Sequence, residues 1–180
     1  FNTSAAIYVV RDPRNLITSL SHHYELSLEK AFIFLANKRK IIFPLNIEEK
    51  GKNVENREDF NFLGDWSTHY QSWKNINFCP IKIIRYEDCL IDAQKVFVST
   101  LNFLTKFIKF RLDKKKINNS LNSTSFENLS QMEKEGGFYE SATSFKTMKK
   151  IRFFNLGKKN NWKSLLDKEI IKKIESRFKN

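Results

Sequence analysis

Arg11 and Ser19, eight residues apart in Tyr8-Val-Val-Arg-Asp-Pro-Arg-Asn-Leu-Ile-Thr-Ser19, are the pair in this chain best suited to hold an anion. A guanidinium is permanently charged and can grip two phosphate oxygens at once, and a hydroxyl adds one directed hydrogen bond. Asp12 is a good N-cap and Pro13 a good first helical residue, so a helix should begin between the two candidates. Its N-terminus would offer free N–H groups and the positive end of a dipole, which also suit phosphate. Ser19 follows Asp12 by seven residues, close to two helical turns, and therefore shares its face. Read together, these features make a phosphate pocket. Read apart, Arg11 pairs with Asp12 or solvent and Ser19 is an ordinary helix serine.

Other chemistry-bearing strings follow. Tyr86 stands in Arg85-Tyr-Glu-Asp88, and Thr124-Ser125-Phe126 offers two hydroxyls and an aromatic ring. Phe153-Phe154-Asn155-Leu156-Gly157-Lys158-Lys159-Asn160-Asn161-Trp162-Lys163 sets a glycine among amides and cations, where backbone N–H groups can approach phosphate. In Trp66-Ser-Thr-His69-Tyr-Gln-Ser-Trp73 a helix would place Trp66, His69 and Trp73 along one side. His69 is then either a satisfied core histidine or part of a pocket wall. His22 and His23 read as surface residues. Cys79 and Cys89 form no CxxC pair and have no histidine cluster beside them, which argues against a metal site or a disulfide framework.

These residues need elements to position them. Ala5–Val10 is a short apolar run, expected to be a strand buried on both faces and to feed directly into the helix from Pro13. A helix is expected around Ser27–Lys38, within a less regular stretch from Leu26 to Arg57 that reads as an excursion or lid. Phe62–Asn75 reads as a helix, Pro80–Arg85 as a second strand closed by Tyr86-Glu87-Asp88, and Asp92–Phe107 as a crossover helix with apolar residues every three to four positions. Lys114–Asn122 reads as a polar connector, Ser125–Lys134 as a short helix, and the last helix starts near Asp167. Strand alternating with helix argues for a parallel sheet covered by helices, in one domain over residues 1–180. Two strands are few for such a sheet, so an upstream portion is expected.

The string Tyr8–Ser19 resembles the 3′-phosphate-binding segment of the sulfotransferases that use 3′-phosphoadenosine 5′-phosphosulfate (PAPS). Its pattern there is an apolar strand, then Arg-Asp/Asn-Pro/Ala, then a Ser eight residues after the Arg. The resemblance implies that Arg11 and Ser19 bind the 3′-phosphate. Arg85-Tyr86-Glu87-Asp88 resembles the family's Tyr-Glu-Asp, which implies that Tyr86 meets the adenine edge. Thr124-Ser125-Phe126 resembles the element whose hydroxyls and ring flank the adenosine, the ring being a plausible stacking surface for a purine. Gly136-Gly-Phe138 and Phe153–Lys163 resemble the late loop written Phe-x-Arg-x-Gly-x-x-Gly-x-Trp-Lys, which adds Phe154, Asn155, Gly157, Lys158 and Lys159 to the implied cofactor site and makes Trp162 its anchor. Two positions depart from that pattern. Asn155 replaces the Arg, a lost charge that Lys158 and Lys159 could restore, and Asn160 replaces the second Gly, where Asn could keep a left-handed turn. Trp66–Trp73 resembles the family's Trp-x-x-His-x-x-x-Trp helix, which implies that His69 lines the acceptor pocket.

The implied fold is a P-loop-NTPase-like three-layer α/β/α domain with a parallel sheet, here lacking its N-terminal strand and phosphosulfate loop. The implied partners are PAPS or its product 3′,5′-ADP and an unidentified acceptor, with no metal. In the family the phosphosulfate loop, its Lys and the usual His base lie upstream of the segment matched by Ala5–Val10. No catalytic residue is therefore assigned, and these 180 residues alone are expected to be inactive and poorly soluble.

The net charge of +12 favours anionic partners and also admits a basic nucleic-acid-binding module. No helix carries a dense Arg/Lys face, so nucleic acid is not expected as a partner. A P-loop kinase relative shares the architecture, but the Arg11/Ser19 pair favours a 3′-phosphate. No apolar run reaches membrane-spanning length, and the two unpaired-looking cysteines suit a reducing, cytoplasmic setting.

Overall fold

The computed structural model describes residues 2–42, 61–138, 141–144 and 146–179. The part of the expected excursion from 43 to 57 lies outside them. β1 (Ala6–Val10) and β4 (Ile81–Arg85) pair in parallel, Ala6 opposite Ile81 and Val10 opposite Arg85. Such a pair needs a crossover connection, and the chain supplies it through α1 (Pro13–His23), α2 (Leu28–Ala36), a small antiparallel pair β2 (Ile41–Ile42) and β3 (Asn61–Phe62), and α3 (Trp66–Lys74). Beyond β4 come α4 (Tyr86–Ile91), α5 (Ala93–Leu104), α6 (Lys114–Ser123) and α7 (Phe126–Lys134). A 3₁₀ turn at Gly157–Lys159, α8 (Trp162–Leu165) and α9 (Lys168–Arg177) complete the order. The class is α/β with a parallel sheet, as the alternation of strand and helix implied.

Local chemistry explains most of the boundaries. Asp12 caps α1, its carboxylate accepting from the Arg14 N–H, with Pro13 in the first turn. Ser27 caps α2, Asp65 caps α3, Asp92 caps α5, Ser125 caps α7 and Asp167 caps α9, each accepting from a backbone N–H one turn in. The core lies among helices. Ile17 of α1, Ala31 and Leu35 of α2, Leu166, and Ile170 and Ile174 of α9 form one buried cluster. Ile170 and Ile174 stand four residues apart, one above the other on the inner face of α9. Asp65, only 2% exposed, ties α3 to this cluster through an ion pair with Arg177 of α9. Burial pushes the Asp65 carboxyl up, but hydrogen bonds from Thr68 and the Arg177 charge outweigh it and hold it below the ordinary carboxylate range.

Three expectations need correction. The strand Ala5–Val10 is not covered on both faces, for Ile7 is 40% and Val9 53% exposed among the described residues. Lys114–Asn122 is no connector but most of helix α6, capped by Asp113, which accepts from the Lys115 and Lys116 N–H groups. The helix expected over Phe62–Asn75 begins only at Trp66, because Phe62 pairs with Ile41 in β3 and Asp65 supplies the cap.

Candidate functional site

Arg11 leaves the C-terminal end of β1 with its backbone held from two sides. Its carbonyl accepts from Trp66 Nε1 at 3.2 Å, and the next N–H, that of Asp12, donates to Glu87 Oε1 at 3.1 Å. Its guanidinium lies over the ring of Tyr86, 4.5 Å from the centroid, a cation–π contact. From there Nη1 donates to Ser19 Oγ at 3.2 Å. Arg11 Nε is buried and has no hydrogen-bond partner among the described residues. A buried donor left unsatisfied costs about 1–3 kcal/mol, and an anion arriving beside the guanidinium would relieve it. Arg11, Ser19 and Tyr86, picked out from three places in the sequence, therefore meet. Glu87 and Trp66 fix the arginine, a task that the spacing of the motifs did not reveal.

The helix mouth itself is not free. Arg14 N donates to Asp12 Oδ1 at 2.8 Å, and the Asn15 and Leu16 N–H groups both go to the Asp12 carbonyl. Pro13 has no N–H. The Asp12 carboxylate is in turn paired with the Arg14 guanidinium at 2.7 Å, and that guanidinium sits 4.0 Å above the Trp162 ring. The expectation that terminal amides of α1 receive the phosphate is thus corrected: the cap occupies them. Arg11 and Ser19 remain as the paired donors, Ser19 lying about 10 Å along the helix at 1.5 Å per residue.

The late loop reaches Ser19 through Asn160. This side chain is buried, its Nδ2 lying 3.1 Å from Ser19 Oγ and 3.1 Å from the Asn15 carbonyl, its Oδ1 2.6 Å from Thr18 Oγ1. Asn160 has φ −72°, so the left-handed turn expected there does not occur. Its role is carried by the side chain instead. Gly157 does take the left-handed conformation, φ +54°, and a Cβ on it would fall 2.8 Å from the Phe126 ring. Glycine is required at this point. Trp162 packs against the core cluster and its N–H donates to Asn15 Oδ1 at 2.9 Å, anchoring the loop as expected.

Phe126 meets Phe154 edge to face at 6.1 Å, and Phe138 packs on Phe154 at 4.9 Å. The start of the loop is fastened to α7 by Glu133, which accepts from the Phe153 and Phe154 N–H groups at 2.5 and 3.1 Å and from Ser141 Oγ at 2.7 Å. Burial raises the Glu133 pKa, but these hydrogen bonds and the Arg152 charge prevail and lower it. Sequence reading missed Glu133; a carboxylate seven residues after Phe126, two turns along α7, was the available signal. The Thr124 and Ser125 hydroxyls are engaged locally, Thr124 donating to the Ser120 carbonyl and Ser125 capping α7. Asn155, Lys158 and Lys159 are exposed.

His69 faces β1. Its Nδ1 is 3.0 Å from Tyr8 Oη, and Tyr8 stacks on Trp73 at 5.5 Å. Burial lowers the His69 pKa, while burial and the neighbouring Tyr70 raise that of Tyr8. With the phenol donating, neutral His69 carries its proton on Nε2. The expectation that His22 and His23 sit at the surface holds only loosely. His22 Nε2 lies 2.7 Å from the Arg152 carbonyl, and His23 packs edge-on against Tyr24 and Phe153. A cavity of about 610 Å³ opens where β1 and β4 end, lined among others by Arg11, Arg14, Trp66, Arg85, Glu87 and Phe178. Of the candidate residues it includes Arg11 alone. No group of acidic, histidine or cysteine side chains among the described residues is arranged to hold a metal.

Residues 2–180 match the family model described as the sulfotransferase domain. Among solved structures the chain is similar to mouse sulfotransferase SULT7A1 complexed with PAP, at 17% identity and a TM-score of 0.54. That likeness covers 96% of this chain but 56% of the mouse chain, so the present chain spans little more than half its length. At such identity it speaks for the fold. No curated protein matches the sequence.

Proposed function

Because the chain belongs to the sulfotransferase domain family, we propose that it supplies the 3′-phosphate and adenosine site of an enzyme moving a sulfuryl group from PAPS to a hydroxyl or amine acceptor. One observation carries this reading: Arg11 donates to Ser19 while its own Nε is buried and, among the described residues, unpartnered. Two adjacent donors without a buried carboxylate to satisfy them suit a dianionic phosphate better than a neutral ligand. The mouse neighbour, solved with PAP, supports the same choice of nucleotide.

In this reading Arg11 and Ser19 hold the 3′-phosphate, and Lys158 and Lys159 supply the charge lost at Asn155. From residue 145 onward twelve Lys and Arg face three Asp and Glu, so the field around the loop is positive. Phe126, braced by Phe154 and Gly157, offers the purine a ring, and Tyr86 meets the adenine edge. Thr124 and Ser125 flank it with oxygens already oriented by the helix ends. Sulfuryl transfer resembles phosphoryl transfer: an in-line displacement helped mainly by positioning and cationic clamps. The residues described here do the positioning, and no catalytic base is assigned among them. His69, held by Tyr8, borders the acceptor. Residues 1–180 act as one domain, and the free Cys79 and Cys89 fit a cytoplasmic setting.

Competition binding on the full-length protein tests this. 3′,5′-ADP should bind at least about tenfold tighter than ATP, with affinity falling much less steeply with salt than a DNA-binding protein's does. ATP binding as tightly as 3′,5′-ADP would favour a kinase relative. Duplex DNA binding with a steep salt slope, and no 3′,5′-ADP binding, would favour a nucleic-acid module.

A further inference from the structure

We propose that Asn160 fixes the direction of the Ser19 hydroxyl proton and is thereby a positioning residue for the phosphate; this rests on the reading of Arg11 and Ser19 given above. A side-chain amide has a donor end and an acceptor end, and its neighbours decide which faces where. The Asn15 carbonyl, 3.1 Å from Nδ2, can only accept. Thr18 Oγ1 has one proton to give, to Asn160 Oδ1 at 2.6 Å or to the Asn15 carbonyl at 2.8 Å. The reverse orientation would set two acceptors against each other at the Asn15 carbonyl, so the amide has one satisfied arrangement. Its second N–H then points at Ser19 Oγ, 3.1 Å away.

Ser19 Oγ also accepts from Arg11 Nη1 at 3.2 Å. A hydroxyl oxygen has two lone pairs and one proton. Both lone pairs are taken, so the proton is left for donation, and among the described residues no acceptor takes it. A helical serine ordinarily turns that proton to the carbonyl four residues back, here Asn15, but Asn160 Nδ2 at 3.1 Å and Thr18 Oγ1 at 2.8 Å already crowd that oxygen. The result is a hydroxyl that can only donate forward, next to an arginine with a spare buried donor. An ionised phosphate oxygen, which only accepts, is the matching ligand. Glycine at this position would offer no such amide.

The test compares 3′,5′-ADP with 5′-AMP, which lacks the 3′-phosphate, by calorimetry on the full-length protein and its Asn160→Asp and Asn160→Gly variants. Aspartate keeps the shape but turns the Ser19 proton toward itself and adds a negative charge. We expect Asn160→Asp to weaken 3′,5′-ADP by about tenfold or more while 5′-AMP changes less than threefold. Asn160→Gly, which removes the donor without adding charge, should lose about threefold in the same ratio and serves where the aspartate variant does not fold. Equal losses for both nucleotides, or an unchanged ratio, would mean that Asn160 only packs, and would overturn the proposal. A wild-type protein that does not distinguish the two nucleotides would remove the underlying reading and this proposal with it.

Discussion

At the residue scale the candidate site is a set of donors facing one another, Arg11 Nη1 on Ser19 Oγ and Arg11 Nε beside them. Arg11 is held at its carbonyl by Trp66 and stacked on Tyr86, so its guanidinium is aimed before any ligand arrives. Preorganisation of this kind lowers the entropy cost of binding. Gly157 is the other residue whose type is dictated by geometry, by its φ of +54° and by the Phe126 ring standing where a Cβ would project. Gly157→Ala should cost about 1–3 kcal/mol through strain and overpacking and should weaken nucleotide binding, because the displaced ring is the proposed purine surface. Thermal melting with and without 3′,5′-ADP checks both effects. A variant matching the wild type in Tm and in ligand-induced shift would contradict this.

At the scale of elements, α7 and the late loop behave as one unit. Phe126 at the start of α7 meets Gly157, and Glu133 near its end ties down Phe153 and Phe154. Glu133→Gln keeps one oxygen but loses the charge and the symmetric acceptor. It should cost about 1–3 kcal/mol and speed hydrogen exchange at the Phe153 and Phe154 amides; unchanged exchange there would mean that the loop is held by other contacts. Much of this level was legible in the chain. Asp12-Pro13, Ser27, Ser125 and Asp167 announced their helices because capping is a local signal. α6 was not legible, since Lys-Lys-Lys-Ile-Asn-Asn-Ser-Leu-Asn-Ser buries only Ile117 and offers just two apolar residues, Ile117 and Leu121, among polar ones. Its cap, Asp113, was the usable clue. The nearness of Arg11 and Ser19 was suggested by their spacing of eight residues across the start of α1. Its Tyr86, Glu87 and Asn160 partners were not, because contacts across 75 or 141 residues depend on how the elements pack.

At the scale of the whole molecule, the core sits in α1, α2 and α9, while the sheet shows an open face at Ile7 and Val9. Local pattern announced the strand but could not say what covers it. Burial also sets a pH response. His69 and His23 have folded pKa values lowered by burial, with His22 adding to the effect at His23. The unfolded chain, with histidines near 6.5, therefore binds protons more readily. Stability is full above about pH 6.5 and falls as pH drops from there through the folded values. Asp65 and Glu133, lowered instead below the carboxylate range, lose their contributions only at still lower pH. Tm should be flat between about pH 7 and 8 and decline below about 6.5, less so in a His23→Gln/His69→Gln variant; a Tm that rises on acidification to about pH 5.5 would be the wrong sign. Whether Arg11 holds a 3′-phosphate is decided by titrating 3′,5′-ADP and 5′-AMP into full-length wild-type and Arg11→Ala protein. Loss of Arg11 should weaken 3′,5′-ADP by about a hundredfold and leave 5′-AMP almost unaffected. Wild-type affinity for 3′,5′-ADP in the Arg11→Ala protein would contradict it.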